Sequence, residues 1–515
     1  MFRRSRSPVL ALIAMLPAAL TGCATSAIDM APDRPDRPWV PATTADGEII
    51  PGAKAPPGGG IGATDYTLPD NPALGTVPAA PDTEPTHAYS LAELIDLAES
   101  NNLMTRTAWN TAREAALAAG IARSAYLPNL TASAVGGHQS VHNNNAAEDL
   151  NLNGESSDGV VSALSVQWLL FDFGERTAVL NAAKQASVVA NIGFTAAHQQ
   201  VIYRVSLAYY VERAAQARVE TAIRSLENAE HVQRAAEDRH AHGIGTVVEV
   251  AQARQATAQA QLLRVQAEGL AQDAYQSLIA AMGVSPLTRL AVANLPEREL
   301  TNATREPVER IVANALGRRP DVLAAYAQER ASEENVRAAR AEFLPKLFLS
   351  ATGAYNSGHL NVTAIPSIGQ QSPGAVNLTG NQFDSTVFLG ITVPVYDGGL
   401  RRALLEQARS KADNASLALT HTREEAVRQI VAAQNGLTTR ISAYQASRSL
   451  VAAARTTFDA ALTAYQNGVG SITDATVAET QLLLATNAST DAYSAALAAA
   501  ATLALAIGAL GSAPL

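Results

Sequence analysis

Two stretches of the chain lack the interruptions that normally end a helix. Glu175 to about His240 contains no proline and a single early glycine, Gly193, and is filled with Ala, Gln, Glu and Arg. From about Arg401 to Gln466 the same holds, with Gly436 as its one glycine. A helix of roughly 65 residues is about 100 Å long at about 1.5 Å per residue. Globular domains rarely hold such helices, so the pattern calls for a bundle, a coiled coil or an extended tube. Ahead of each long helix the period changes from helical to alternating. Val160, Leu164, Val166, Trp168 and Leu170 fall on one face of a strand, and Ala163, Ser165 and Gln167 on the other. Later, Val387, Leu389, Ile391, Val393 and Val395 alternate with Thr386, Phe388, Gly390, Thr392 and Pro394. A period of two with one apolar face predicts strands wet on the other side. Leu347 to Tyr355 and, less strongly, Asn129 to Gly137 are their partners, across polar loops near His142 to Asp158 and Asn356 to Gln382.

These patterns recur. Tyr126-Leu-Pro128-Asn-Leu130 returns as Phe343-Leu-Pro345-Lys-Leu347, an offset of 217. Asp172-Phe-Gly174 returns as Asp397-Gly-Gly399, and Gly243-Ile-Gly-Thr246 as Gly468-Val-Gly-Ser471, both offset by 225. Insertions survive in surface loops and not inside packed elements. A free loop therefore lies between the Pro and Asp landmarks, and one rigid element runs from Asp172 to Gly243. Each copy reads helix, strand, loop, strand, long helix, turn, helix. Short hairpin-linked strands with an apolar face are the sequence signature of a membrane barrel. Four strands cannot close a barrel, and open edges in lipid leave backbone groups unpaired, so the chain is expected to oligomerise.

Composition and the chain ends refine this picture. Aromatics are only 5% of a chain that is 47% hydrophobic, which suits long helices packed through small side chains. Arg3, Arg4 and Arg6 precede an apolar run from Val9 to Leu20, the layout of a secretory signal and too short to span a bilayer. It ends in Leu20-Thr-Gly-Cys23, which looks like a bacterial lipobox, and Cys23 is the only cysteine. Lipidation explains a lone cysteine at a cleavage site better than packing does, the other reading being a plain signal peptide. Ala24 follows it, which by resemblance to enterobacterial lipoproteins favours the outer membrane. Loss of residues 1–22 would move the formal net charge from -9 to -12, a poor balance for a nucleic-acid partner. From Ala24 to about Pro85 the chain is crowded with Pro and Gly and reads as an extended tether.

From about Ser90 to Gly511 the residues resemble the TolC family of outer-membrane efflux proteins. The most specific stretch runs from Arg319-Pro-Asp-Val322 through Ala338-Ala-Arg-Ala-Glu-Phe343-Leu-Pro345, similar to the family segment in which a helix delivers the chain into the barrel. Tyr465-Gln-Asn-Gly468-Val-Gly-Ser471-Ile-Thr-Asp474 resembles the family's periplasmic tip. In the first copy His240 replaces that Tyr and the acid is Glu249. The resemblance implies an α+β membrane protein, a homotrimer whose 12-stranded outer-membrane β-barrel continues into a long periplasmic α-helical barrel. It implies docking to a periplasmic adaptor and an inner-membrane transporter, and the lipobox suggests the branch serving resistance–nodulation–division pumps. The expected division is a signal peptide at 1–22, a lipidated tether at 23–88, repeats at 89–283 and 306–511 around a linker at 284–305, and a tail at 512–515.

At the tips, Thr246 with Glu249 and Ser471 with Asp474 have capping-box spacing, and the preceding glycines permit a tight reversal. The same turns, Gly243, Ile244, Gly245 and Thr246 with Gly468, Val469, Gly470 and Ser471, are the candidate adaptor-docking surface, a role compatible with capping. Pro128, Asp172 and Gly174, with Pro345, Asp397 and Gly399, mark strand–helix junctions, where an Asp suits the helix dipole. The Gly-x-Gly pairs lack the strand, Lys and further Gly of a phosphate loop. His138, His142, His240 and His242 form no set with metal-ligand spacing. No catalytic constellation is found and no cofactor is expected beyond the lipid on Cys23, so an enzyme is a distant reading. The uncharged stretch Ser494 to Leu515 is long enough for a membrane helix. It is mostly Ala, and a packed tunnel helix is the expectation. The leading function is a passive exit duct, and the rival is a lipid-anchored periplasmic coiled-coil protein that conducts nothing. An acidic tunnel would favour cations, but sequence does not assign charges to lumen or exterior.

Overall fold

The computed structural model describes residues 30–32, 35, 39, 41–54, 66–77, 80–81, 83–84, 86–140, 156–295, 299–300, 307–362, 376–379 and 381–511. The signal segment 1–22, Cys23 and the tail 512–515 lie outside them, as does His142. The chain divides into two compact units, Met1–Ala80 and Pro81–Leu515. In the first, β1 (Pro41–Thr43) and β2 (Ile49–Lys54) pair antiparallel, so part of the stretch expected to be extended is a hairpin. Gly47 turns it with φ of 84°, and a Cβ there would lie 2.6 Å from Pro72 Cδ.

The second unit begins with β3 (Ala88–Tyr89), α1 (Leu91–Asn101) and α2 (Leu103–Ser124). Then come β4 (Asn129–Ser140), β5 (Ser156–Phe171), α3 (Glu175–Ala241) and α4 (Val247–Met282). After β6 (Ala291–Val292), α5 (Val308–Leu316) and α6 (Pro320–Ala341), the chain forms β7 (Lys346–Val362), β8 (Val376–Thr379) and β9 (Gln382–Thr392). It closes with α7 (Leu400–Gln466) and α8 (Ile472–Ala506). α3 and α7 have 67 residues each, about 100 Å.

β4, β5, β7 and β9 lie in that order in one antiparallel sheet, with β8 pairing the far end of β7. β9 ends at Thr392 rather than running to Val395 as the alternation suggested, because Pro394 has no N–H to donate to a ladder. The register sorts the side chains by face. Leu130, Val166, Ala351 and Val387 form one cross-strand row, and Trp168, Leu349 and Leu389 another on the same side. The opposite side carries Thr131, Ser165, Thr352 and Thr386 in one row and Asn129, Gln167, Ser350 and Phe388 in another. Phe388 is the apolar exception in these two polar rows. Among the described residues this apolar face is left largely open: Val387 is 72% exposed and Leu389 67%.

Midway along α3 lies the largest core, where Leu94 and Ala98 of α1 meet Val201, Val205 and Tyr209 of α3 and Leu278 and Met282 of α4. The described part of 284–305 is bound to it. Val284 and Leu290 join the core, β6 pairs parallel with β3, and the Tyr209 hydroxyl donates to Ala293 O at 3.1 Å. Arg319 is buried and ties three helices together. Its guanidinium donates to Ala506 O at the end of α8 (2.6 Å), to Gln429 Oε1 of α7 (2.7 Å) and to Asp321 Oδ1 of α6 (3.0 Å). A cation at the last carbonyls of α8 also suits its dipole. Ala496, Ala501, Ala504 and Ala506 of α8 are buried, so this helix packs through its alanines. Among the described residues no helix is long and apolar enough to cross a membrane.

Lower down the bundle, Glu479 of α8 accepts a hydrogen bond from the Ser225 hydroxyl of α3. Burial raises its pKa, and the Ser225 bond offsets this only in part. A carboxyl whose folded pKa is raised penalises the folded state only once it ionises. Stability is therefore expected to fall as pH rises from about 4.3, the unfolded Glu value, through the higher folded one. Glu479→Gln should flatten that slope in thermal melts across this range. An unchanged pH profile would refute the assignment.

Candidate functional site

The turns joining α3 to α4 and α7 to α8 are superimposable in their hydrogen bonds. Gly243 N–H donates to His240 O, and Ile244 and Gly245 N–H both donate to Arg239 O at 3.0 Å. In the other turn Gly468 N–H donates to Tyr465 O, and Val469 and Gly470 N–H both donate to Ala464 O at 3.0 Å. The glycines in each turn are needed for different reasons. Gly243 and Gly468 are left-handed, with φ of 75° and 80°. Gly245 and Gly470 instead press on backbone: a Cβ at Gly245 would lie 2.9 Å from His240 N, and one at Gly470 3.0 Å from Tyr465 N. Ile244, at 67%, and Val469, at 84%, project from the turns into solvent.

The caps differ. Ser471 and Asp474 form the full reciprocal box. Thr246 accepts from Glu249 N at 3.2 Å, but the return bond expected from Glu249 is not made. The Glu249 carboxylate is turned toward α7 and accepts the Tyr465 hydroxyl at 3.3 Å. Tyr465 is almost fully buried, and burial followed by the charge of Glu249 raises its pKa. Arg239 stacks on the Tyr465 ring at 5.1 Å and donates to Tyr465 O (3.2 Å) and Ile244 O (3.4 Å). It thereby clamps the end of α7 to the turn of the other hairpin. Beneath it, Val232, Ala236, Val250, Ala253, Tyr465, Ile472 and Ala475 form one core drawn from α3, α4, α7 and α8. The tips are thus a single four-helix head.

At the opposite end of the long helices, the strand–helix junctions share a second geometry. Pro128 and Pro345 immediately precede β4 and β7. After β5, Phe173 and Gly174 both have positive φ (53° and 98°), as do Gly398 and Gly399 after β9 (69° and 93°). A left-handed Phe is strained, and an Asp carboxylate holds the turn. Asp172 accepts from Gly174 N (3.3 Å), Arg176 N (2.9 Å) and Arg176 Nε (2.8 Å). Asp397 accepts from Gly399 N and Arg401 N, both at 3.0 Å. Burial works to raise the pKa of Asp172, yet the backbone and side-chain bonds from Arg176 outweigh it and the pKa is lowered. The Arg401 backbone N–H chiefly lowers that of Asp397. Arg176 also caps strand and helix carbonyls, donating to Leu169 O (2.5 Å), Leu170 O (3.2 Å) and Ala125 O (3.1 Å). Lys346 of β7 pairs with Glu175 of α3 at 2.6 Å.

The sequence reading singled out neither Arg176 nor Arg239. Arg176 left a signal, since Arg401 stands 225 residues later at the same distance from its Asp. Arg239 left none, as its counterpart is Ala464.

A family model described as outer membrane efflux protein matches residues 94–284 and 311–509. The chain is 28% identical to protein CyaE of Bordetella pertussis over 349 residues, 67% of this chain and 68% of that one. It is 24% identical to outer membrane protein OprJ of Pseudomonas aeruginosa over 384 residues, 74% and 75% of the two chains. The crystal structure of the outer membrane protein VceC from Vibrio cholerae aligns with a TM-score of 0.66 at 22% identity, covering 81% of this chain and 96% of VceC. That likeness shows a shared fold.

Proposed function

The chain belongs to the outer membrane efflux protein family, and from that premise we propose that it is a passive outer-membrane exit duct of an efflux or secretion system. The observation that carries this reading is the four-stranded sheet. It is apolar on one face and polar on most of the other, its outer strands β4 and β9 are each paired on one side only among the described residues, and it continues into two 67-residue helices. In lipid every unpaired strand edge is costly, so copies of the same chain must complete the ring. Three copies of four strands make the 12-stranded barrel, the number three being the family's. The halves 89–283 and 306–511 then act as two structural repeats, each giving one strand hairpin and one long helical hairpin. At about 100 Å the helices have the reach of a periplasmic tunnel. Cys23 carries lipid and fixes the chain to the outer membrane, with 23–88 as tether.

The four-helix head, with Ile244 and Val469 exposed, is the docking face for a periplasmic adaptor, and through it an inner-membrane transporter of the resistance–nodulation–division type. A duct needs no catalytic group, and substrate choice falls to the transporter. Outer-membrane fractions should yield heat-modifiable trimers on gels, and the purified trimer should conduct ions in planar bilayers. Labelled palmitate should be incorporated in wild type and not in Cys23→Ser. A monomer that never conducts would defeat the channel and favour the periplasmic coiled-coil reading.

A further inference from the structure

The strand sheet carries few charges, and the register places each one. Asp158, at the outer end of β5, lies on the apolar-face parity and is bonded to His138 at 2.7 Å. Lys346, at the inner end of β7, lies on the polar face and is neutralised by Glu175. Asp384 of β9 is exposed and lies on the polar face in a row with the small side chains Ser133, Ala163 and Ala354. Its two oxygens accept from Asn356 Nδ2 (3.0 Å) and Gln382 Nε2 (2.8 Å). Both donors are neutral amides, so they fix the carboxylate in position without cancelling its charge. Asn356 is only 8% exposed, and its Oδ1 is buried without a hydrogen-bond partner. A buried amide spending its donor on an exposed carboxylate, while its own oxygen goes unsatisfied, is a costly way to hold a surface acid.

We propose that Asp384, positioned by Asn356 and Gln382, makes the strand-lined end of the duct select for small cations. The proposal rests on the channel reading above. If the apolar face meets lipid, the polar face meets water in the lumen, and ring closure sets one Asp384 from each copy around the same level. Rings of carboxylates favour cations in aqueous pores. The lumen of a ring this size is wide, so the field reaches its axis only when salt is dilute: the screening length is about 30 Å at 0.01 M and about 3 Å at 1 M.

The test is the reversal potential of the purified protein in planar bilayers under a KCl gradient, at low and high salt. Wild type should prefer K⁺ over Cl⁻ in dilute salt and lose much of that preference near 1 M. Asp384→Asn keeps the shape and should lose the dilute-salt preference, Asp384→Glu should retain it, and Asp384→Lys should reverse it. Conducting Asp384→Asn channels with wild-type selectivity would overturn the proposal and leave the duct intact. A wild-type protein that never conducts would overturn the duct and this site with it.

Discussion

Asp172→Ala is expected to destabilise the assembled protein by about 3–5 kcal/mol, the range for removing one partner of a buried ion pair. Asp172 and Arg176 are both largely buried, with side chains 7% and 11% exposed. Loss of the carboxylate leaves the guanidinium with carbonyl partners but no counter-charge, and frees two N–H groups, on Gly174 and Arg176, at the start of α3. It also removes what holds Phe173 in a left-handed conformation. The readout is the temperature at which trimers dissociate on gels, with circular dichroism following the helices. The double variant with Arg176→Ala should lose less than the sum of the single variants, since the pair is coupled. Asp397→Ala should cost less, because Asp397 and Arg401 are more exposed, at 23% and 30%. The pH dependence has a fixed sign. The pKa of Asp172 is lowered, so its stabilisation is present above the unfolded value of about 3.9 and is lost as pH falls through the folded one. Equal effects at Asp172 and Asp397 would contradict the role given to burial.

Gly468→Val is expected to abolish transport while the trimer still reaches the outer membrane. A β-branched residue at φ of 80° costs about 1–3 kcal/mol of backbone strain. Its Cβ would sit 3.1 Å from Arg239 Nη1, so the clamp on Tyr465 must shift as well. Gly243 has open space around it, and Gly243→Val meets only the backbone cost. The core drawn from four helices lies below both turns and should hold the assembly together. Asn tolerates the left-handed region, so Gly468→Asn should transport better than Gly468→Val. Efflux-dependent growth and trimer content of outer-membrane fractions report the two properties separately. Transport retained in Gly468→Val and Gly243→Val would count against a docking role for the tips.

Much of the fold was legible because its signals are local. Absence of Pro and scarcity of Gly set α3 and α7 to within a residue or so of their ends, and the Asp-x-Gly landmarks mark where each begins. Alternation found β4, β5, β7 and β9 but misplaced the end of β9, where side-chain period continued past the proline that stopped the ladder, and it read the outer end of β7 and all of β8 as polar loop. Capping spacing identified Thr246 and Glu249 but not the outcome, since a capping acid has a second option when a buried hydroxyl comes within reach.

Sequence by itself determined the long helices, the strand periods, the paired turns and the chemistry of each glycine landmark, because each depends on residues a few positions apart. Tertiary structure alone decided which strands are neighbours, and hence that β4 and β9 form the outer edges and that Asp384 shares a face with Asn356. It decided that Arg239 clamps Tyr465, that Glu249 leaves its own cap to join them, and that Arg319 caps α8. These links run between segments distant in sequence, where no helical or strand period reaches. Packing brings such groups together, and burial then makes pairing them a necessity.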